Sequence, residues 1–225
     1  MSSAVSVSKV EFSLRPKTPE LGKDYDFNKD RFNYWVDRQV YLTEDVRDAL
    51  KELGERVRRV SYPEFAGKLA SCLGRLPTGC LERATILGSA HKSNQWVAEI
   101  ACSFLRPKVL KYEELGHEHA EAITTSLRAS SPRSWSKQYV LFDDASFSGN
   151  QMTSHLSELS AVLAEDRTPR DIYVVIPYVT PVALAKLEGV ARPDHIRIHV
   201  IHEEVIPTLK MQMEEDSFRL LNAHV

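Results

Sequence analysis

The chain predicts an α/β fold: a doubly wound, mainly parallel sheet of about five strands with an N-terminal helical extension. Three observations carry this expectation. Tyr139-Val140-Leu141-Phe142 is a continuous apolar run, the composition of a strand buried on both faces in a parallel sheet. Asp171–Ile176 repeats that composition further along the chain. Between the two runs, Leu156, Leu159 and Leu163 recur at helical spacing, so a helix joins the strands, as parallel pairing requires.

In chain order, residues 1–30 are polar, contain Pro16, Pro19 and Gly22, and suit a loosely packed arm. Aromatics then gather at Phe32, Tyr34, Trp35 and Tyr41. They suit packing of the arm on the domain, with a substrate-stacking surface as the alternative. Thr43 is an N-cap candidate ahead of Glu44 and Asp45, and Val46, Leu50, Leu53 and Val57 trace one face of a helix ending near Arg59. Ser61-Tyr62-Pro63-Glu64 has capping-box spacing and opens a second helix, with Phe65, Leu69 and Leu73 as its apolar face and Pro77-Thr78-Gly79 closing it. Arg56, Arg58 and Arg59 read as a solvated face.

Thr85–Gly88 is the first core strand, Ser89–Asn94 its loop, and Trp96, Ile100 and Phe104 mark the helix behind it. Val109, Leu110 and Tyr112 suggest a second strand, and Ala120, Ile123 and Leu127 a short helix. Arg128–Lys137 is Ser-rich, basic and unpatterned, the composition of an exposed loop. Beyond Asp171–Ile176, Pro177–Thr180 reads as a turn and Val182–Leu187 as a short helix. His195–Ile201 alternates like an edge strand, and Pro207–Asn222 reads as one closing helix.

At 225 residues the chain divides by expectation into an N-terminal arm and helices packed on the core, 1–80, and an α/β domain, 81–225. Lys plus Arg numbers 29 against 31 Asp plus Glu, a formal charge of −2. That balance gives no general attraction to nucleic acid or anionic membrane, so neither is an expected partner. Cys72, Cys80 and Cys102 lack Cys-x-x-Cys spacing and read as reduced thiols of a cytoplasmic protein. His199 with His202, or His117 with His119, has no H-E-x-x-H context, so no protein metal site is expected. The start of the chain has neither a basic n-region nor an apolar run, so no signal peptide or membrane span is expected. The sequence also lacks G-x-x-x-x-G-K-[ST], G-x-G-x-x-G and G-x-S-x-G, which argues against nucleoside triphosphatase, dinucleotide and serine-hydrolase sites.

The stretch with the most chemistry follows Phe142. Asp143 and Asp144 stand where the strand leaves the core, then Ser146-Phe147-Ser148-Gly149-Asn150-Gln151 forms a small-residue turn into a helix. Backbone N–H groups at such a helix start suit an anion, and the carboxylates suit the hydroxyls of an attached sugar. The same residues also make an ordinary strand-to-helix turn with acidic residues near the helix start.

An apolar strand, an acidic pair, three variable positions and a Ser-Gly turn resemble the phosphoribosyl pyrophosphate (PRPP) signature of type I phosphoribosyltransferases. Asp143 and Asp144 match the acidic pair, Ser148 the hydroxyl position and Gly149 the glycine. Gln151 stands where that family usually has a second Thr or Ser. The resemblance implies a glycosyltransferase of the pentosyl type, acting in nucleotide metabolism on PRPP with magnesium. It would release pyrophosphate as a nitrogenous base takes the phosphoribosyl group. Asp143 and Asp144 would favour the charge developing on ribose, and Ser146, Phe147, Ser148, Gly149, Asn150 and Gln151 would hold the 5-phosphate.

The resemblance also implies a pyrophosphate loop at Ser89, Ala90, His91 and Lys92, although the glycines usual there are missing; a plain strand-to-helix connection is the other reading. It implies a lid containing Arg133, Trp135 and Lys137, against an ordinary surface loop on composition alone. Tyr178, Glu203 and Glu204 follow late strands and are candidates for the acceptor pocket, or surface residues. A homodimer is included among the expectations. The alternative function is a regulatory or nucleotide-sensing protein of the same fold without turnover, which the missing glycines favour.

Overall fold

In a computed structural model of the protein, residues 28–58, 60–88, 93–105, 111–114 and 135–223 are described. Residues 1–27 of the expected arm, the Ser89–Lys92 loop, the helix at Ala120–Leu127 and Arg133 lie outside them.

The core is a sheet of five parallel strands: β1 (Thr85–Gly88), β2 (Lys111–Glu114), β3 (Gln138–Phe142), β5 (Arg170–Val175) and β7 (Ile196–Ile201). Their order is β2-β1-β3-β5-β7, so the apolar run at Tyr139–Phe142 occupies the middle position. The order reverses between β1 and β3, and both faces are covered, as the doubly wound expectation requires. Alternation along the strands explains the two layers. Ile86, Val140, Phe142, Tyr173 and Val175 pack towards α3 (Tyr62–Gly74) and α5 (Ser93–Leu105). Leu87, Tyr139, Leu141, Ile172 and Val174 pack towards α6 (Asn150–Leu163) and Leu187 of α7 (Pro181–Glu188). Continuous apolar composition is what two buried faces demand.

A second sheet, unforeseen in the sequence, extends the first. β4 (Ala145–Ser146), β6 (Tyr178–Val179) and β8 (Glu204–Val205) pair in parallel in that order, each after a two-residue break from β3, β5 and β7. Register survives the break: Phe142 stands opposite Val175, and Ala145 opposite Tyr178. Pro177 has no N–H to give the ladder, and its carbonyl accepts both Glu203 N (3.2 Å) and Glu204 N (3.0 Å). The expected turn at Pro177–Thr180 is therefore a kink within a continuing strand.

The N-terminal helices follow their caps. Thr43 accepts from Val46 N at the start of α2 (Glu44–Arg56), and Ser61 accepts from Glu64 N at the start of α3. The aromatic stretch from Phe32 is itself helical, α1 (Lys29–Asp37). A Cβ on Gly54 would lie 2.7 Å from the Phe32 ring, so glycine there leaves room for that ring of α1 to lie against α2. The chain end returns to this pair: the expected single closing helix is two, α8 (Leu209–Gln212) and α9 (Glu215–Ala223), with Glu214 N donating to Glu52 Oε1 (3.1 Å) between them and α2. Between α3 and β1 lies one further short helix, α4 (Cys80–Arg83).

On α5 the sequence pattern misleads. Trp96 and Phe104 are exposed, while the buried stripe is Val97, Ala98, Ala101 and Cys102. Small side chains let the helix lie close on the sheet and turn the large aromatics outward. The three cysteines are buried and unpaired with one another, and burial pushes Cys80 and Cys102 up to about 11.

Candidate functional site

The site begins where β3 ends. Asp143 N still donates to Val175 O (3.1 Å), the last bond of the main ladder on that side. Asp144 N then turns back to Asp143 Oδ1 (3.1 Å), which fixes that carboxylate beside the strand end. Both aspartates are half-buried at the carboxyl end of the middle strand, beside the β1–β3 reversal where ligands of open α/β sheets bind.

Gly149 makes the turn. Its φ of 74° and ψ of −9° are left-handed, and a Cβ would come 3.0 Å from Ala183 Cα and 3.2 Å from Ala183 O. It is the N-cap of α6 and offers no side chain to the first-turn N–H groups. Ser148 Oγ accepts only a long bond from Asn150 N (3.4 Å), and Asn150 Oδ1 is drawn aside by Lys186 Nζ (2.6 Å). Ser148, Asn150 and Gln151 are exposed. From behind, Thr180 clamps the turn: its N donates to Ser146 O (3.0 Å) and its hydroxyl to Phe147 O.

Against Asp144 lies a cleft of about 520 Å³. Its walls come from the α2–α3 link (Arg58, Val60), α3 (Tyr62, Phe65), α5 (Trp96), the turn (Ala145, Phe147), β6 (Tyr178) and the chain around β8 (Glu204, Ile206). Phe65 and Trp96 have ring centroids 5.0 Å apart, and Phe65 stacks with Tyr178 at 6.5 Å. The charges at its edge form a network. Arg58 bonds Glu64 and reaches Glu204 at 3.1 Å; Lys68 Nζ meets Glu204 at 2.7 Å and stands 5.5 Å over the Tyr178 ring. Burial, then the Glu64 and Glu204 charges, push the Tyr178 hydroxyl up to about 12, so it stays protonated.

Of the residues expected from sequence, Asp143 to Gln151 converge on one end of the sheet. Ser146 is spent inside the small sheet as part of β4, and Phe147, 68% exposed, faces the cleft. Ser89, Ala90, His91, Lys92 and Arg133 fall outside the described residues. Trp135 and Lys137 correct the lid expectation. They precede β3, so the strand's length at about 3.3 Å per residue separates them from Asp143. Trp135 is buried under the Arg170 guanidinium (5.3 Å), a core contact at the amino end of the sheet.

Arg58 is exposed, as its expected place on a solvated face requires, and it also borders the cleft. Tyr178 and Glu204 line it, whereas Glu203 is held outside by Arg75 (3.0 Å) and Ser71 (2.7 Å). Tyr62, Phe65 and Trp96 were missed as site residues. The available signal was Trp96 beside a stripe of Val97, Ala98 and Ala101, too large for the buried position. Among the described residues there is no cluster of three or more His, Cys, Asp or Glu able to hold a metal, and no helix long and apolar enough to cross a membrane.

No protein-family model matches the chain, and no curated protein matches it. Among solved structures, a hypothetical protein from Neisseria gonorrhoeae, crystallised with bound ppGpp, is similar at 10% identity and a TM-score of 0.40. The alignment covers 74% of this chain and 96% of that one. A likeness this slight transfers neither ligand nor function.

Proposed function

We propose that the chain binds PRPP with magnesium and transfers its phosphoribosyl group to a nitrogenous base, releasing pyrophosphate. The supporting observation is the pairing of two half-buried carboxylates with an uncapped helix start, both at the carboxyl end of the middle strand. The 5-phosphate would rest on N–H groups from Ser148 to Gln151, which the left-handed Gly149 leaves open. Asp143 and Asp144 would accept from the ribose hydroxyls. In the transfer, a base nitrogen forms a bond to the anomeric carbon as the bond to the pyrophosphate oxygen breaks. The leaving pyrophosphate keeps that electron pair, and the proton that the base nitrogen gives up passes to it. Positive charge builds on the ribose meanwhile, and the two carboxylates favour it.

Two adjacent carboxylates suit magnesium, which usually takes one or two protein carboxylates and completes its shell with substrate oxygens and water. Bound there with PRPP, it would neutralise charge on the leaving pyrophosphate. Everything else is positioning by this chain's own groups.

A second reading is nucleotide sensing without turnover. It is favoured by the Ser89–Asn94 segment, which has no glycine to let backbone close on pyrophosphate. Thermal denaturation with PRPP, with and without magnesium, tests binding. A ligand at a hundred times its dissociation constant adds about 2.7 kcal/mol. Release of pyrophosphate in a base-dependent way supports transfer. Binding without release across purine, pyrimidine and nicotinate-like bases selects the sensor; no binding of PRPP removes transfer, and no binding of nucleoside 5-monophosphates in the same measurement removes the sensor as well.

A further inference from the structure

The cleft beside Asp144 is itself informative about what it accepts. Its volume of about 520 Å³ lies within the range of small-molecule sites. Aromatic side chains from separate elements meet there: Tyr62, Phe65, Trp96, Phe147 and Tyr178. Tyr62 is 52% exposed and Trp96 38%, large apolar rings left open around one hollow. Flat faces of this kind suit a planar ring.

Its charge is more selective. A carboxylated ligand needs a cation free to meet it. Among the described residues, the cations at the cleft are already held by carboxylates, Arg58 by Glu64 and Glu204, and Lys68 by Glu204. Asp144 adds a carboxylate to the lining and, among the described residues, makes no ion pair. Among the described residues a ligand carboxylate would meet net negative charge, whereas ring or exocyclic N–H groups would meet acceptors.

We infer that this cleft takes a planar, neutral or cationic nitrogen heterocycle bearing N–H donors, and discriminates against heterocyclic carboxylic acids. The inference rests on the phosphoribosyl reading only for the ligand's role as acceptor; the chemical class follows from the cleft.

The test is calorimetric titration of the full chain with adenine, cytosine, orotate and nicotinate, each with and without PRPP and magnesium. Adenine or cytosine is expected to bind at least about tenfold more tightly than either acid. Tyr62→Ala and Trp96→Ala are each expected to weaken that binding about tenfold, from lost stacking. Both side chains are exposed enough for the variants to fold, which the unfolding midpoint checks. Equal or tighter binding of the acids overturns the inference, as does failure of every base to bind in both conditions, or binding that neither variant changes. If these occur while PRPP still stabilises the protein, the phosphoribosyl reading survives alone. Base binding that follows the expected pattern without any response to PRPP leaves the cleft's selectivity standing and removes that reading.

Discussion

Two turns in this molecule follow the same path and end in opposite states. After β3 the chain passes through Asp143-Asp144, the short strand β4 and Gly149 into α6; after β5 it passes through Ile176-Pro177, β6 and Thr180 into α7. The second turn is chemically closed. Thr180 Oγ1 accepts from Ala183 N (3.1 Å), and Pro181 has no N–H to satisfy. The first is open: a left-handed glycine caps α6 with no side chain, and two carboxylates stand before it. The closed turn also supports the open one, through Thr180 to Ser146 and Phe147 and through Ala183 against Gly149. A fold can cap one helix start with its own side chain and leave its neighbour's donors available for a ligand.

The sharpest way to break this contrast is Gly149→Val. A β-branched residue at φ 74°, with its Cβ 3.0 Å from Ala183, combines backbone strain with overpacking. A loss of about 3 kcal/mol or more is expected in urea unfolding. A loss below about 1 kcal/mol would mean that α6 and α7 separate easily and the turn is not held as described.

Next in size is the Asp143→Asn, Asp144→Asn double variant, which gives the open turn the neutrality of its neighbour. Pyrophosphate release from PRPP should fall about a hundredfold or more, with little change in the unfolding midpoint. Unchanged release would place the chemistry elsewhere.

Thr180→Ala uncaps the closed turn. It should cost about 1 kcal/mol in the same unfolding measurement, and Thr180→Ser should restore most of it. Equal losses in both variants would assign the effect to the lost methyl group.

The smallest effect is electrostatic. The Lys68 hydrogen bond holds Glu204 below its ordinary value of 4.5, and the Lys68 and Arg58 charges add to this against burial. A lowered carboxylate stabilises the fold fully above its unfolded pKa and loses that contribution as pH falls through the folded one. The stability difference between the original chain and Glu204→Gln should therefore be constant from neutral pH to about 4.5 and shrink below it. A difference that grows on acidification would reverse the assignment.

The open turn was legible from residues 139–163 because each of its signals is local. Apolar composition marks the strand, glycine the left-handed position, and leucines at helical spacing the helix. The caps at Thr43 and Ser61 were legible for the same reason. The parallel sheet followed from strands alternating with helices, since parallel neighbours need a crossover. The small sheet was not legible. Its strands are two residues long, too short for a period, and they exist because β3, β5 and β7 lie side by side in register.

Other features waited on the same tertiary information. The sequence alone placed the acidic pair at a strand end and identified the glycine that opens the helix. Only the tertiary structure brought Arg58, Tyr62, Trp96, Tyr178 and Glu204 around Asp144, because their neighbourhood depends on strand order and helix packing. It also put Trp135 at the far end of β3, which composition could not distinguish from a loop over the site. Local signals determine the turn's backbone. Which side chains face it is decided by residues far apart in sequence, whose contacts form only when the sheet does.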